Sequence, residues 1–229
     1  MKSLFLIAET ACSHDGSSVR LKKIIRNVIK AGFNAIQFQI WKHQNIIDPK
    51  HPDIQKLKKV EISYNDWIKI IKFTRKISNI EIIACVYDLD AFYFCIKYKI
   101  KNFKIHASDI GNKILIKKIS EKAKRIDLSV GSATPQEIKK SLIWIENKCD
   151  VWLMYGYQLF PTNPNRLNLS YMKSLNKKFK KNIGYQDHSN FDISGYTIPC
   201  AAIGMGVNIV EKHVTDLNSK KRTDGESAI

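Results

Sequence analysis

Eight short apolar runs recur along this chain, at 4–9, 35–39, 80–87, 103–107, 126–130, 151–156, 183–187 and 207–211. They are rich in β-branched residues and mostly unbroken rather than alternating, as parallel strands covered on both faces are. Helical stretches lie between most of them. Residues 19–31 carry apolar side chains at helical spacing and stop at Gly32, a C′ glycine. Residues 67–77 repeat the stripe, and Thr134-Pro135-Gln136-Glu137 combines an N-cap threonine, a proline at the first helical position and a capping-box glutamate. Residues 172–179 and 194–204 read as later helices.

Strand–helix alternation repeated eight times predicts a (β/α)8 TIM barrel, because parallel strands need crossover helices and eight such units can close. An open doubly wound sheet is the competitor, and the chain has neither a G-x-G-x-x-G after its first strand nor a P-loop. A single barrel commonly has this length, 229 residues with 44% hydrophobic content. The longest irregular stretch, from 41 to about 60, is a candidate active-site loop. Only residues 215–229 follow the eighth run, too few for a closing helix and its loops. The expectation is therefore a barrel over 1–229 lacking its last helix, with apolar surface left on strands one and eight. Either a partner covers that surface or the chain is a fragment of something longer.

The formal charge is +17, but the basic residues are spread along amphipathic helices, as in Lys22-Lys23-Ile-Ile-Arg26 and Lys117-Lys118. No zinc finger, aromatic RNA-binding signature or basic tail accompanies them, so no nucleic-acid partner is expected. The positive field favours anionic, phosphorylated substrates. Cys12, Cys85, Cys95, Cys149 and Cys200 are odd in number, widely spaced and free of any CxxC, which suits reduced thiols in the cytoplasm. The apolar opening is interrupted by Glu9, and no run approaches the about 18 apolar residues of a membrane span, so no membrane partner is expected.

Chemistry-bearing residues cluster where the strands end. Two runs each close on an imidazole, Lys181-Asn-Ile-Gly-Tyr-Gln-Asp-His188 and Val207-Asn-Ile-Val-Glu-Lys-His213, with Asp187 and Glu211 expected close beside the rings. Neighbouring parallel strands lie ~4.8 Å apart, so two such histidines can share one divalent ion. Glu9, Gln37, Gln39, Asp88, Lys104, Asp109, Ser129 and Gln158 also fall at carboxyl ends of strands, the barrel face on which active sites are built. His14 either braces the loop after strand one or takes part in chemistry. His43, His51 and His106 carry no motif and read as ordinary, and Pro161-Thr162 reads as a turn.

The segments Ile7-Ala-Glu-Thr-Ala-Cys-Ser-His-Asp-Gly16, Ala35-Ile-Gln-Phe-Gln39, Lys104-Ile-His-Ala-Ser-Asp109, Leu128-Ser-Val-Gly131, Phe160-Pro-Thr162, Gly184-Tyr-Gln-Asp-His188 and Glu211-Lys-His-Val-Thr215 follow one another in this order. Together they resemble the sialic acid synthase family, makers of N-acetylneuraminate and the related legionaminic and pseudaminic acids, over residues 6–227. The resemblance implies an aldolase-type barrel that condenses phosphoenolpyruvate with an open-chain 2-acetamido sugar and releases phosphate by C–O cleavage. It further implies that His188 and His213 hold a divalent ion, Mn2+ or Mg2+, which polarises the sugar aldehyde. By the same likeness Glu9 lies near the metal and sugar, Asp109 handles protons, Asp224 contacts sugar hydroxyls, and Lys104 and Ser129 hold phosphoenolpyruvate. Gln37, Gln39, Gln158, Gln186 and Glu211 complete the expected substrate-binding set.

The sequence departs from the family on the donor side. Gln37 stands for a lysine, Ala84-Cys-Val-Tyr87 for Ser/Thr-Pro-Phe, Ala107 for a serine, Gln158 for an asparagine and Gln186 for a serine. A neutral amide in place of a buried cation facing phosphate costs a few kcal/mol of binding. The family's C-terminal antifreeze-like domain, which crosses a dimer to supply an arginine to the neighbouring site, has no counterpart within 1–229. A homodimer or a partner chain is expected. The alternatives are a paralogue that uses another three-carbon donor, and a catalytically silent binding subunit.

Overall fold

The computed structural model describes residues 3–216 and 222–229. Eight parallel strands close on themselves in sequence order: β1 (Phe5–Glu9), β2 (Ala35–Ile40), β3 (Glu81–Val86), β4 (Asn102–Ile105), β5 (Arg125–Ser129), β6 (Asp150–Tyr155), β7 (Asn182–Asp187) and β8 (Ile209–His213). The seam is β1 against β8, in a register that sets Glu9 beside His213. Helices α1 (Ser18–Lys30), α4 (Tyr64–Ile77), α5 (Leu89–Lys97), α6 (Lys113–Ser120), α7 (Pro135–Ile145), α8 (Tyr171–Phe179) and α10 (Thr197–Gly204) form the outer layer; α2 (His43–Ile46), α3 (Ile54–Val60) and α9 (Phe191–Ser194) are short. This is the TIM barrel the alternation predicted.

Local chemistry explains the boundaries. In α1 the buried residues Leu21, Ile24, Ile25 and Val28 recur at helical spacing, and Ser17 caps the first turn by accepting from the Arg20 amide. The capping box at Thr134 is present, with Pro135 opening α7. Asp88 caps α5, accepting from the Ala91 amide at 2.7 Å, so it serves a helix start rather than the site its strand-end position suggested.

Two further expectations change. The 41–60 stretch is partly helical, because α2 and α3 fold within it, and Trp41 and Val60 pack with Cys12. The helix expected over 194–204 starts only at Thr197, as α10, with the short α9 ending at Ser194 before it. Pro199 cannot donate to an interior turn, and starting α10 at Thr197 puts it in the first turn, where no donor is needed.

The main core lies between sheet and helices. A smaller one, Ile7, Ala35, Ile83, Met154 and Ile209, fills the lower barrel interior with Phe5 and Trp152. Arg125 lies over the Trp152 ring at 3.8 Å and pairs with Asp127 and Glu81. Each fully buried aliphatic contributes about 1.5–3 kcal/mol, so this plug is a firm floor for the polar layer above it.

The exposed apolar seam expected on β1 and β8 is reduced to one edge. Val210, on the outer face of β8, is 4% exposed, and Lys212 and Ala8 are also buried. Leu6 is half-buried and Leu4 is 40% exposed. Residues near Ile229 return to the end of β8 and pair with it in parallel, Ala228 bridging His213 and the Ile229 amide donating to the His213 carbonyl at 3.0 Å. All five cysteines are free thiols, and no helix among the described residues is long and apolar enough to cross a membrane.

Candidate active site

Side chains alternate along a strand, so each strand sends every second residue into the barrel. Above the apolar floor this brings together Glu9, Gln37, Cys85, Lys104, Ser129, Gln186 and Glu211, and above those Gln39, His106, Gln158, Phe160 and His188; these twelve line one cavity at the carboxyl end of the barrel. Nine of them belong to the site set expected from sequence. A further member of that set, His213, is buried with its ring centroid 5.1 Å from that of His188.

Lys104 is the electrostatic centre. Its ammonium donates to both Glu211 carboxylate oxygens, at 2.7 and 2.5 Å, and to Gln186 Oε1 at 2.8 Å. Burial alone would lower this lysine, but the Glu211 carboxylate outweighs it and holds the ammonium above its ordinary range. Gln186 Nε2 donates to Ser129 Oγ at 2.8 Å, and Gln158 Nε2 approaches the same oxygen at 3.4 Å. The Gln37 Oε1 atom is buried and has no protein partner among the described residues. Glu9 accepts from the Ala11 amide at 2.7 Å. Burial, then the nearby Glu211 charge, pushes Glu9 well above the usual carboxylate range, which favours its protonated, donating form.

Both strand-end imidazoles are neutral lone-pair donors. His188 Nδ1 lies 2.7 Å from the Tyr157 carbonyl, which can only accept, so the ring proton sits on Nδ1 and Nε2 is free to ligate. Burial lowers His188 to about 4. Ser227 Oγ lies 3.5 Å from His213 Nδ1 and 3.2 Å from the Asp224 carbonyl, to which its hydroxyl can donate. Burial, then the neighbouring His188, lowers His213 well below its ordinary value. Phe160 covers the pair, 4.4 Å from the His188 ring and 5.6 Å from His213. No third His, Cys, Asp or Glu among the described residues completes a metal-ligand cluster with them.

Several expected placements differ. Asp187 does not lie beside the imidazole; it faces the outside of the barrel, where it accepts from Lys212 Nζ, Tyr185 OH and Ser189 Oγ. Glu211 faces inward but serves Lys104. Asp109 sits on a 3-10 turn after β4, takes hydrogen bonds from Ser108 and Asn112, and is outside the cavity lining. Asp224 is also outside it, accepting from the Cys12 amide at 3.2 Å, with burial raising its pKa. His14 braces its loop, as its Nδ1 accepts from the Gly16 amide at 3.0 Å and its ring packs edge-on to Trp67. Phe160-Pro-Thr162 does more than turn, since the Thr162 amide donates to the His188 carbonyl at 2.7 Å and so ties this loop to the end of β7.

A sequence model of the NeuB family matches residues 24–229. The chain belongs to the NeuB family. Among its relatives is an N,N'-diacetyllegionaminic acid synthase of Campylobacter jejuni, 29% identical over 94% of this chain and 68% of that protein. Another enzyme of that name, from Legionella pneumophila, is 24% identical over 92% of this chain and 64% of that protein. The chain thus spans about two-thirds of the length of these relatives. The crystal structure of an N-acetylneuraminic acid synthetase from Leptospira borgpetersenii superposes with a TM-score of 0.92 at 26% identity, covering 100% of this chain and 79% of that one. A 3-deoxy-D-arabino-heptulosonate 7-phosphate synthase of Thermotoga maritima shares the fold alone, with a TM-score of 0.75 at 17% identity. The expected sialic acid synthase family is therefore the right one, and this NeuB-family barrel carries its polar residues on the face where such enzymes work.

Proposed function

We propose that this NeuB-family barrel condenses phosphoenolpyruvate with an open-chain 2-acetamido sugar and one water, whose oxygen replaces the one that leaves with phosphate, giving a nine-carbon 2-keto sugar acid and phosphate. The observation that carries the reading is the pair of neutral imidazoles with ring centroids 5.1 Å apart, His188 with its Nε2 lone pair free, beside a cavity lined by a protonatable carboxyl and a buried ammonium. His188 and His213 would hold a divalent ion; two nitrogen donors suit Mn2+ better than Mg2+, which prefers an all-oxygen shell. When bound, that ion supplies Lewis-acid polarisation of the sugar aldehyde. Glu9 holds its proton near the aldehyde oxygen, where negative charge grows as the new C–C bond forms. Lys104 and Ser129 orient the anionic donor from below. Asp109 and Asp224, on loops around the mouth, handle water and sugar hydroxyls.

A second reading, a three-carbon donor other than phosphoenolpyruvate, draws on one observation: Lys104 is already engaged by Glu211 and Gln186, and Gln37 brings no charge. The two readings part on phosphate. Incubation with Mn2+, N-acetylmannosamine and phosphoenolpyruvate releases phosphate under the first, and His188→Ala lowers that rate by about 100-fold or more. Sugar-dependent metal binding with no phosphate from a panel of 2-acetamido aldoses would favour the second.

A further inference from the structure

His106 matched no sequence motif, yet it is two residues beyond Lys104, and strand alternation turns both into the barrel, where both line the cavity. Its proton is placed by its neighbours. The Ser108 amide hydrogen, fixed by the backbone, points at His106 Nδ1 at 3.3 Å, so Nδ1 carries the lone pair and the proton sits on Nε2. The Ser108 hydroxyl, 2.9 Å from Nδ1 and 3.0 Å from Asp109 Oδ2, shares its hydrogen between them. No protein acceptor among the described residues meets the Nε2–H. Burial, with desolvation largest and the Lys104 charge behind it, lowers the ring to about 4, so near neutrality it acts as an uncharged donor.

His188 and His106, both lining the cavity, are therefore imidazoles of opposite tautomer. His188 offers a lone pair, which suits a cation; His106 offers an N–H, which suits an oxyanion. Among the described residues one lysine lines this cavity, Lys104, and its hydrogens are already directed at Glu211 and Gln186. His106 supplies a donor that is not so committed.

We propose that His106 is an oxyanion-binding residue of the donor pocket, its Nε2–H contacting a phosphate or carboxylate oxygen of the three-carbon donor. The inference rests on the reading of this cavity as a donor site, and its test separates the two. The full-length chain, its His106→Ala variant and its His106→Gln variant are titrated calorimetrically with phosphoenolpyruvate, inorganic phosphate and pyruvate. His106→Ala is expected to weaken phosphoenolpyruvate by about 10-fold or more, one hydrogen bond to a charged group. His106→Gln, which keeps an N–H donor, should restore most of it. Weakening of inorganic phosphate assigns the contact to the phosphate, and weakening of pyruvate assigns it to the carboxylate. Co2+ affinity should stay within about twofold of the parent, and the His106 15N resonances should move on anion addition. No anion binding by the parent, or unchanged affinity for all three ligands in His106→Ala, overturns the inference. Phosphate release from phosphoenolpyruvate and sugar with an unaltered KM in His106→Ala removes the inference and keeps the reading. His106-dependent anion binding without turnover does the reverse.

Discussion

Replacing Lys104 with methionine removes a buried ammonium while keeping most of its bulk. Lys104 and Glu211 are each 3% exposed at the side chain, so water cannot take over for either. The variant loses two hydrogen bonds to Glu211 and one to Gln186, and leaves a carboxylate inside the barrel facing Glu9. Breaking one side of such a buried pair costs about 3–5 kcal/mol, whereas replacing both sides by apolar groups is about neutral or better. Lys104→Met should therefore lower unfolding free energy by about 3–5 kcal/mol, and Lys104→Met/Glu211→Met should recover most of that. At about 1.4 kcal/mol per tenfold, the single change shifts the folding constant by some two to three and a half decades. Urea titration followed by circular dichroism, completed as a double-mutant cycle, measures both values. A single variant within about 1 kcal/mol of the parent, or a double variant no more stable than the single, would refute this account of the buried Lys104–Glu211 pair. The double variant should still lose donor binding, because stability and function make opposite demands on this lysine.

His14 gives a pH signature. Burial holds it at about 4 against an ordinary 6.5, so between those values the unfolded chain takes up a proton that the folded chain refuses. Stability should fall as pH drops from about 6.5 toward 4, by up to about 3 kcal/mol from this residue. His14→Asn, which keeps an acceptor for the Gly16 amide, should flatten that part of a urea-midpoint profile; an unchanged slope would contradict the assignment. The Asp187–Lys212 pair ties the two strand exits that carry His188 and His213. Asp187→Asn should weaken Co2+ binding by about 10–100-fold, read from the cobalt absorption bands, and lost stability with intact cobalt affinity would show that the pair only supports the fold.

Why the barrel was legible follows from its strands. Each is buried on both faces, so the apolar runs are continuous and their ends lie within a few residues of the observed ones. Alternation also held the clue to two misplaced residues. Asp187 precedes His188, so the two must face opposite sides of the sheet, and His106 shares the parity of Lys104. The Lys104–Glu211 bond was not readable, because it crosses the barrel between residues 107 positions apart and depends on closure. The two short helices within 41–60 carry too few turns to show a period. Gly131, which closes the segment Leu128-Ser-Val-Gly131, has a packing reason: a Cβ there would lie 1.6 Å from the Gly156 carbonyl oxygen, so the exits of β5 and β6 approach closely only with glycine.

The central claim is that this cavity joins a phosphorylated three-carbon donor to an aldehyde sugar. Phosphoenolpyruvate labelled with 18O at its bridging oxygen, incubated with Mn2+ and N-acetylmannosamine or related 2-acetamido aldoses, tests it most directly. The account predicts sugar-dependent phosphate that retains the label, in equal amount with a nine-carbon keto acid seen by mass spectrometry. Unlabelled phosphate, or no keto acid and no phosphate with any sugar in a chain that binds Mn2+, would contradict it.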